Sequence, residues 1–150
     1  MRSAETERML TRWLPVLGIA IAVLWYARML YQHALNIPYA DDVQDIVLFL
    51  VNLTKAQDWT QAAHAFVAQI NDHRTLSSRV VYYLAFLLQG EIDFRTLIFI
   101  GNVGLPLIFL MFCIASRHRP VSWLLLLCAA LILFQPRIYA TSFWSMNAFA

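Results

Sequence analysis

The chain has 150 residues, of which 61% are hydrophobic and 13% charged, and its formal net charge is +2. With a mean hydropathy of +0.60, it is too apolar and too poor in charge for an ordinary soluble domain, which predicts an integral membrane protein. The basic residues are scattered and form no stripe, which argues against nucleic acid as a partner and favours membrane lipids and lipid-linked molecules.

The first long apolar stretch, residues 13–33, predicts a transmembrane helix, because about 20 apolar residues cross a hydrocarbon core of about 30 Å. Its only charged residue, Arg28, can extend to the interface near Trp25 and Tyr26. Residues 1–12 are then a cytoplasmic tail. A secretory signal peptide is the alternative, but no small-residue cleavage site follows the apolar core.

Residues 34–95 predict one long extracytoplasmic loop that contains amphipathic helices at the membrane surface. Apolar residues follow helical spacing, first at Val43, Ile46, Val47, Leu50 and Leu53 and then at Ala62, Ala63, Phe66, Val67 and Ile70. A third segment, Val80 to Leu88, is too short to cross a bilayer. We expect it to be an interfacial or re-entrant helix with Tyr82 and Tyr83 at the level of the lipid headgroups.

Two further apolar stretches, residues 96–116 and 121–136, predict a second and a third span. The turn 117–120 between them contains Arg117 and Arg119, and residues 137–150 follow as an extracytoplasmic tail. With the amino terminus inside, this turn lies in the cytoplasm together with Arg2, Arg8 and Arg12 of the tail, as the positive-inside rule requires. The sequence therefore predicts an all-α polytopic membrane protein with about three transmembrane helices plus amphipathic juxtamembrane helices in a long first extracytoplasmic loop.

Two adjacent carboxylates, Asp41 and Asp42, stand where the first predicted span gives way to the loop. One interpretation is a helix N-cap, because aspartate before a helix accepts the N–H groups of the first turn. The other is chemistry on a lipid-linked substrate. One carboxylate would act as general base on an acceptor, and the pair would help to hold a divalent cation, Mg²⁺ or Mn²⁺, against a phosphate leaving group.

A second candidate element contains His73 and Arg74, which could bind a phosphate near the boundary between water and lipid. Arg79 is a further candidate for binding the substrate. The alternative for the first two is a solvated turn between helices, which the preceding Asn71-Asp72 favours. The alternative for Arg79 is an interfacial anchor.

Together these pieces resemble membrane glycosyltransferases of the GT-C fold class, such as the protein O-mannosyltransferases and aminoarabinose transferases, and an uncharacterised bacterial branch of that class. The matching segments are Pro38-Tyr39-Ala40-Asp41-Asp42, Asp72-His73-Arg74, Gln89-Gly90-Glu91-Ile92-Asp93-Phe94-Arg95, Arg137-Ile138-Tyr139-Ala140-Thr141 and Ser142-Phe143-Trp144-Ser145-Met146-Asn147.

The resemblance implies an enzyme of the bacterial inner membrane that transfers a sugar from a polyprenyl-phosphate donor to an extracytoplasmic acceptor. It places Asp41 in the role of catalytic carboxylate and Asp42 at the second acidic position. Members of the class have many more spans, so we expect the chain to be the amino-terminal portion of a larger protein, inactive without the remainder or another membrane subunit. The alternative is a small non-enzymatic membrane protein that anchors or assists a partner.

Overall fold

A computed structural model describes residues 2–39, 41–69, 76–116 and 122–135, with side chains from residue 13 onward. Within these ranges the chain is helical and contains no strand. The helices are α1 (Arg2–His33), α2 (Leu48–Lys55), α3 (Trp59–Val67), α4 (Leu76–Gln89), α5 (Phe94–Asn102), α6 (Gly104–Ser116) and α7 (Trp123–Leu133), and a π-helical segment, Val43–Val47, leads into α2. The all-α prediction is confirmed for the described residues.

Two helical stretches are long and apolar enough to cross a membrane. They are Trp13–His33, which is part of α1, and Phe94–Ser116, which comprises α5 and α6. They match the first two predicted spans. Only 17% and 11% of their most apolar windows are buried inside the protein, whereas the central helix of a soluble protein is mostly buried. Their apolar side chains therefore remain available to an apolar environment outside the chain.

The third predicted span is not confirmed. Helix α7 has 11 residues, which at ~1.5 Å per residue is roughly half of a hydrocarbon core. Residues 117–121, which include the predicted cytoplasmic turn, and residues 136–150, which include the predicted tail, lie outside the described residues.

The chain forms two compact units, and the first contains α1, α6 and α7. Tyr26, Ala130 and Phe134 form its buried cluster, and the rings of Phe134 and Phe109 meet edge to face with their centroids 5.7 Å apart. Gly18 lies so close to α7 that a Cβ atom there would come within 2.8 Å of a methyl group of Leu127. A small residue in α1 thus permits close packing against α7.

The second unit contains the loop helices α2, α3 and α4 together with α5. Its core consists of Ile46, Phe49, Leu50, Tyr82, Phe94 and Leu97. The three helices predicted in the loop are therefore present, and they pack on one another. The first one starts as the π-helical segment, and within it and α2 the residue Val43 is exposed whereas Phe49 is buried.

Helix α4 is longer than predicted, and its buried face includes polar and charged residues. Its buried residues are Ser78, Arg79 and Tyr82, so the expectation that Tyr82 lies at the lipid headgroups is wrong: the side chain is 1% exposed and belongs to the core. The opposite face is apolar and exposed, with Leu76, Val80, Leu84, Leu87 and Leu88. Apolar residues therefore lie on both faces of α4, since Tyr83, Ala85 and Phe86 pack against the core.

Polar side chains form hydrogen bonds near the two ends of the loop. Asn36 Oδ1 accepts the backbone N–H of Phe94 at 2.8 Å, and Asp93 accepts from the backbone N–H of Arg95 and from the Thr96 hydroxyl. At the end of α4, Gly90 adopts φ +77°, the left-handed conformation that favours glycine after a helix. The bond from Phe94 to Asn36 thus joins residues near the two ends of the loop.

Candidate functional site

Asp41 and Asp42 form the turn that starts the first loop helix, and they differ in exposure. The Asp41 carbonyl accepts the backbone N–H groups of Gln44 and Asp45, each at 2.9 Å. The Asp42 side chain is 1% exposed, whereas Asp41 is half-buried. Only Asp41 of the pair can therefore reach a substrate without a change in the fold.

The N-cap alternative does not describe Asp42. It occupies the N-cap position of the π-helical segment but makes no side-chain capping hydrogen bond there. Its Oδ2 atom instead accepts the backbone N–H of Tyr39 at 2.9 Å, and its own backbone N–H donates to the Tyr39 carbonyl at 3.1 Å. Asp42 thus fastens the preceding residues of the loop to the start of the helix.

A buried ion pair lies one helical turn further along. Asp45 Oδ1 is 3.2 Å from Nη2 of Arg79 and 3.3 Å from its Nε, and the two side chains are 0% and 2% exposed. Their positions are 34 residues apart in the sequence. Removing either charge leaves the other in a site that excludes water, which is far more costly than breaking an ion pair at the surface.

Arg79 also completes the end of α3. Its Nη1 atom donates to the backbone carbonyls of Ala65, Phe66 and Ala68, groups that the helix itself cannot satisfy at its carboxyl end. The guanidinium carbon lies 5.5 Å from the centre of the Phe49 ring. Arg79 therefore joins α2, α3 and α4, and neither the predicted substrate contact nor an interfacial anchor accounts for these bonds.

Tyr82 lies beside the same charges. Burial raises the pKa of its hydroxyl well above the ordinary range, and the negative charge of Asp45 raises it further. A hydrogen bond with Ser78 acts in the opposite direction. The phenol therefore stays protonated and serves as a neutral member of this polar interior.

The structure does not describe the remaining predicted site residues. His73 and Arg74 lie outside the described residues. Among the residues that the structure does describe, no group of three or more His, Cys, Asp or Glu side chains could hold a metal ion. The divalent cation at Asp41 and Asp42 stays a prediction.

Sequence reasoning missed the pairing of Asp45 with Arg79. A signal was present, because Asp42, Asp45 and Phe49 are spaced for one face of a helix and would place carboxylates among apolar residues. A charge on such a face requires a buried partner of opposite sign. Local spacing did not indicate which of the chain's arginines that partner is.

No protein-family model matches the chain, and comparison with curated proteins and with solved structures finds no match either.

Proposed function

We propose that the chain is a membrane glycosyltransferase module of the GT-C type, which transfers a sugar from a polyprenyl-phosphate donor to an extracytoplasmic acceptor. The observation that carries the proposal is that the two adjacent aspartates differ in burial and in hydrogen bonding. Asp42 is buried and anchored to Tyr39, and it holds the half-buried Asp41 at the start of a helix. A general base needs this combination of accessibility and fixed position.

The location in a membrane is part of the proposal. Its support is that the acidic turn lies in the sequence between two helices that are long and apolar enough to span, Trp13–His33 and Phe94–Ser116. We infer the orientation from the basic residues before the first helix and after the second, which by the positive-inside rule favour a cytoplasmic location for both of these ends. The loop with Asp41 then faces outward, and in a bacterium this membrane is the inner membrane.

In the proposed reaction Asp41 accepts the proton of an acceptor hydroxyl. The acceptor oxygen forms a bond to the anomeric carbon of the sugar, and the bond from that carbon to the phosphate oxygen breaks. The electron pair leaves with polyprenyl phosphate. General base catalysis of this kind contributes roughly 10²–10⁴-fold to a rate. Asp42 acts as a positioning residue, since its buried side chain does not reach the acceptor.

The test is sugar transfer in reconstituted membranes from a radiolabelled polyprenyl-phosphate sugar, together with binding of that donor. Asp41→Asn should abolish transfer while leaving donor binding and helix content unchanged. Asp58→Asn is the matched control, because Asp58 is an exposed aspartate that caps α3 and asparagine caps equally well. Addition of a chelator tests the predicted cation. A folded chain that fails both to bind the donor and to transfer the sugar would refute the proposal.

The second candidate is a non-enzymatic membrane protein that anchors or assists a partner. The observation in its favour is that Asp42 and Arg79, two of the predicted site residues, are both buried in bonds within the chain. This candidate predicts that Asp41→Asn has no effect on any transfer reaction. The same comparison with Asp58→Asn therefore separates the two functions.

A further inference from the structure

An open cleft of about 820 Å³ lies between α2 and α3 in the second unit. Sites for small molecules commonly have volumes of roughly 300–1,000 Å³. Its two walls are helix faces, the first of which starts in the π-helical segment, and the buried residues of its lining include Phe49 and Arg79. Because Arg79 is fixed by Asp45 and by three carbonyls of the α3 end, this buried part of the lining is rigid.

The first wall presents Gln44, Leu48, Asn52 and Lys55, which are spaced to lie on one helix face and are all exposed. It begins one turn from the acidic pair, since the Gln44 N–H donates to the Asp41 carbonyl. A ligand along this wall would therefore extend to the neighbourhood of the proposed base.

The second wall presents Gln61, His64, Ala65 and Ala68, again at helical spacing. Gln61 is held in place, because its Oε1 atom accepts the backbone N–H of Gln57 at 3.1 Å and its own N–H donates to Asp58. Its amide NH₂ group can donate to a ligand. Small alanine side chains beside it leave room near the buried part of the lining.

The chemistry of this lining is distinctive. Four amide side chains supply paired donors and acceptors, which match the hydroxyl groups of a sugar. Lys55 supplies a cationic group and His64 a proton-donating group, whereas the charge of Arg79 is already paired with Asp45. No carboxylate lines the cleft in the part of the chain that the structure describes. Lys55 is also the only lysine in the sequence. The cleft is suited to a polar ligand with one negative charge.

We propose that the cleft between α2 and α3 binds the acceptor as a saccharide unit that carries an anionic group, either a carboxylate or a phosphate. The inference rests on the proposed function for the expectation of a sugar, and it adds the acceptor class and the residues that select it. Lys55 and His64 contact the anionic group, and the amides contact the hydroxyls.

The experiment uses the single lysine. The full chain in lipid nanodiscs is treated with an acylating reagent, and the rate of Lys55 modification is measured by peptide mass spectrometry. The ligands are glucuronate, glucose 6-phosphate, glucose and inorganic phosphate. At a concentration about ten times the dissociation constant, a bound ligand should slow acylation about tenfold. We expect this protection from both anionic sugars and little from glucose or phosphate.

Variants assign the contacts. Asn52→Ala should weaken binding roughly fivefold, as expected for the loss of one hydrogen bond, so that protection falls from about tenfold to about threefold. His64→Ala should reduce the advantage of anionic sugars over glucose. Gln57→Ala is the matched control, because this exposed glutamine lies outside the cleft. Far-UV circular dichroism verifies that each variant is folded.

Equal protection by inorganic phosphate would overturn the inference, since it would indicate an anion site without sugar recognition. Equal protection by glucose, or no protection by any sugar, would overturn it as well. The outcome is separable from that of the proposed function. Protection retained in Asp41→Asn with no transfer by the wild type supports the cleft alone, and transfer without protection supports the enzyme alone.

Discussion

Arg79 should contribute more to the stability of the loop unit than its partner Asp45. Arg79→Met removes the guanidinium from the ion pair and from the three backbone carbonyls at the end of α3. Asp45→Asn removes only one charge and leaves an acceptor of the same shape. The two variants thus separate the role of the pair from the role of the carbonyl contacts.

The magnitudes follow from burial. Breaking a fully buried ion pair by removing one partner costs about 3–5 kcal/mol, and unsatisfied buried carbonyls add to this, so we expect about 5 kcal/mol for Arg79→Met. Asp45→Asn breaks the same pair, but Arg79 keeps its three carbonyl partners and the amide oxygen as an acceptor, so we expect a cost at the lower end of that range, about 3 kcal/mol. Arg79→Met should therefore lose roughly 2 kcal/mol more stability than Asp45→Asn.

The assay is hydrogen exchange of the α3 and α4 amides in nanodiscs, which reports the free energy of local opening. Arg28→Met is the matched control, because Arg28 is an exposed arginine in α1 and its replacement should change the opening of α3 and α4 by less than about 0.5 kcal/mol. An Asp45→Asn variant that loses as much stability as Arg79→Met, or more, would refute this reasoning.

Three further predictions follow from the described contacts. Because burial raises the pKa of Tyr82, the unfolded state loses the tyrosine proton at a lower pH than the folded state does, so the free energy of unfolding should fall as the pH rises above about 10. Urea titrations should show a smaller alkaline decline in Tyr82→Phe than in the wild type. An equal decline would contradict the reasoning. Gly18→Ala should be tolerated because the Leu127 side chain can rotate away. Gly18→Leu should cost about 2 kcal/mol of stability, measured by thermal unfolding, and Leu127→Ala should partly restore it. Equal costs for the two glycine variants would argue against close packing of α1 on α7. Gln57→Cys in a cysteine-free background should react with a membrane-impermeant maleimide added to intact cells, and labelling only after lysis would reverse the proposed orientation.

Helical periodicity was sufficient to predict the helices of the loop and the first two apolar helices. It did not distinguish the two faces of α4, because apolar residues lie on both, and the buried face also carries Ser78 and Arg79. The length of α7 was also not predictable from hydropathy alone, since an apolar run does not determine where a helix begins and ends.

For the candidate site, the sequence drew attention to the acidic pair but did not predict that one member is buried and the other half-buried. The burial of Asp42 and the bond from Tyr39 depend on the packing of the whole loop unit. The pairing of Asp45 with Arg79 joins positions 34 residues apart, which no local motif encodes. The cleft between α2 and α3 arises from the same packing, although its polar residues were visible in the sequence.

The most direct test of the account is to locate the lipid-linked sugar on the protein. A polyprenyl-phosphate sugar with a photoreactive group on the sugar is bound to the chain in nanodiscs, illuminated, and mapped by peptide mass spectrometry. The account predicts a crosslink in the segment around Asp41 that an excess of unmodified donor prevents. A crosslink found only in the apolar helices, or one that excess donor does not reduce, would contradict it.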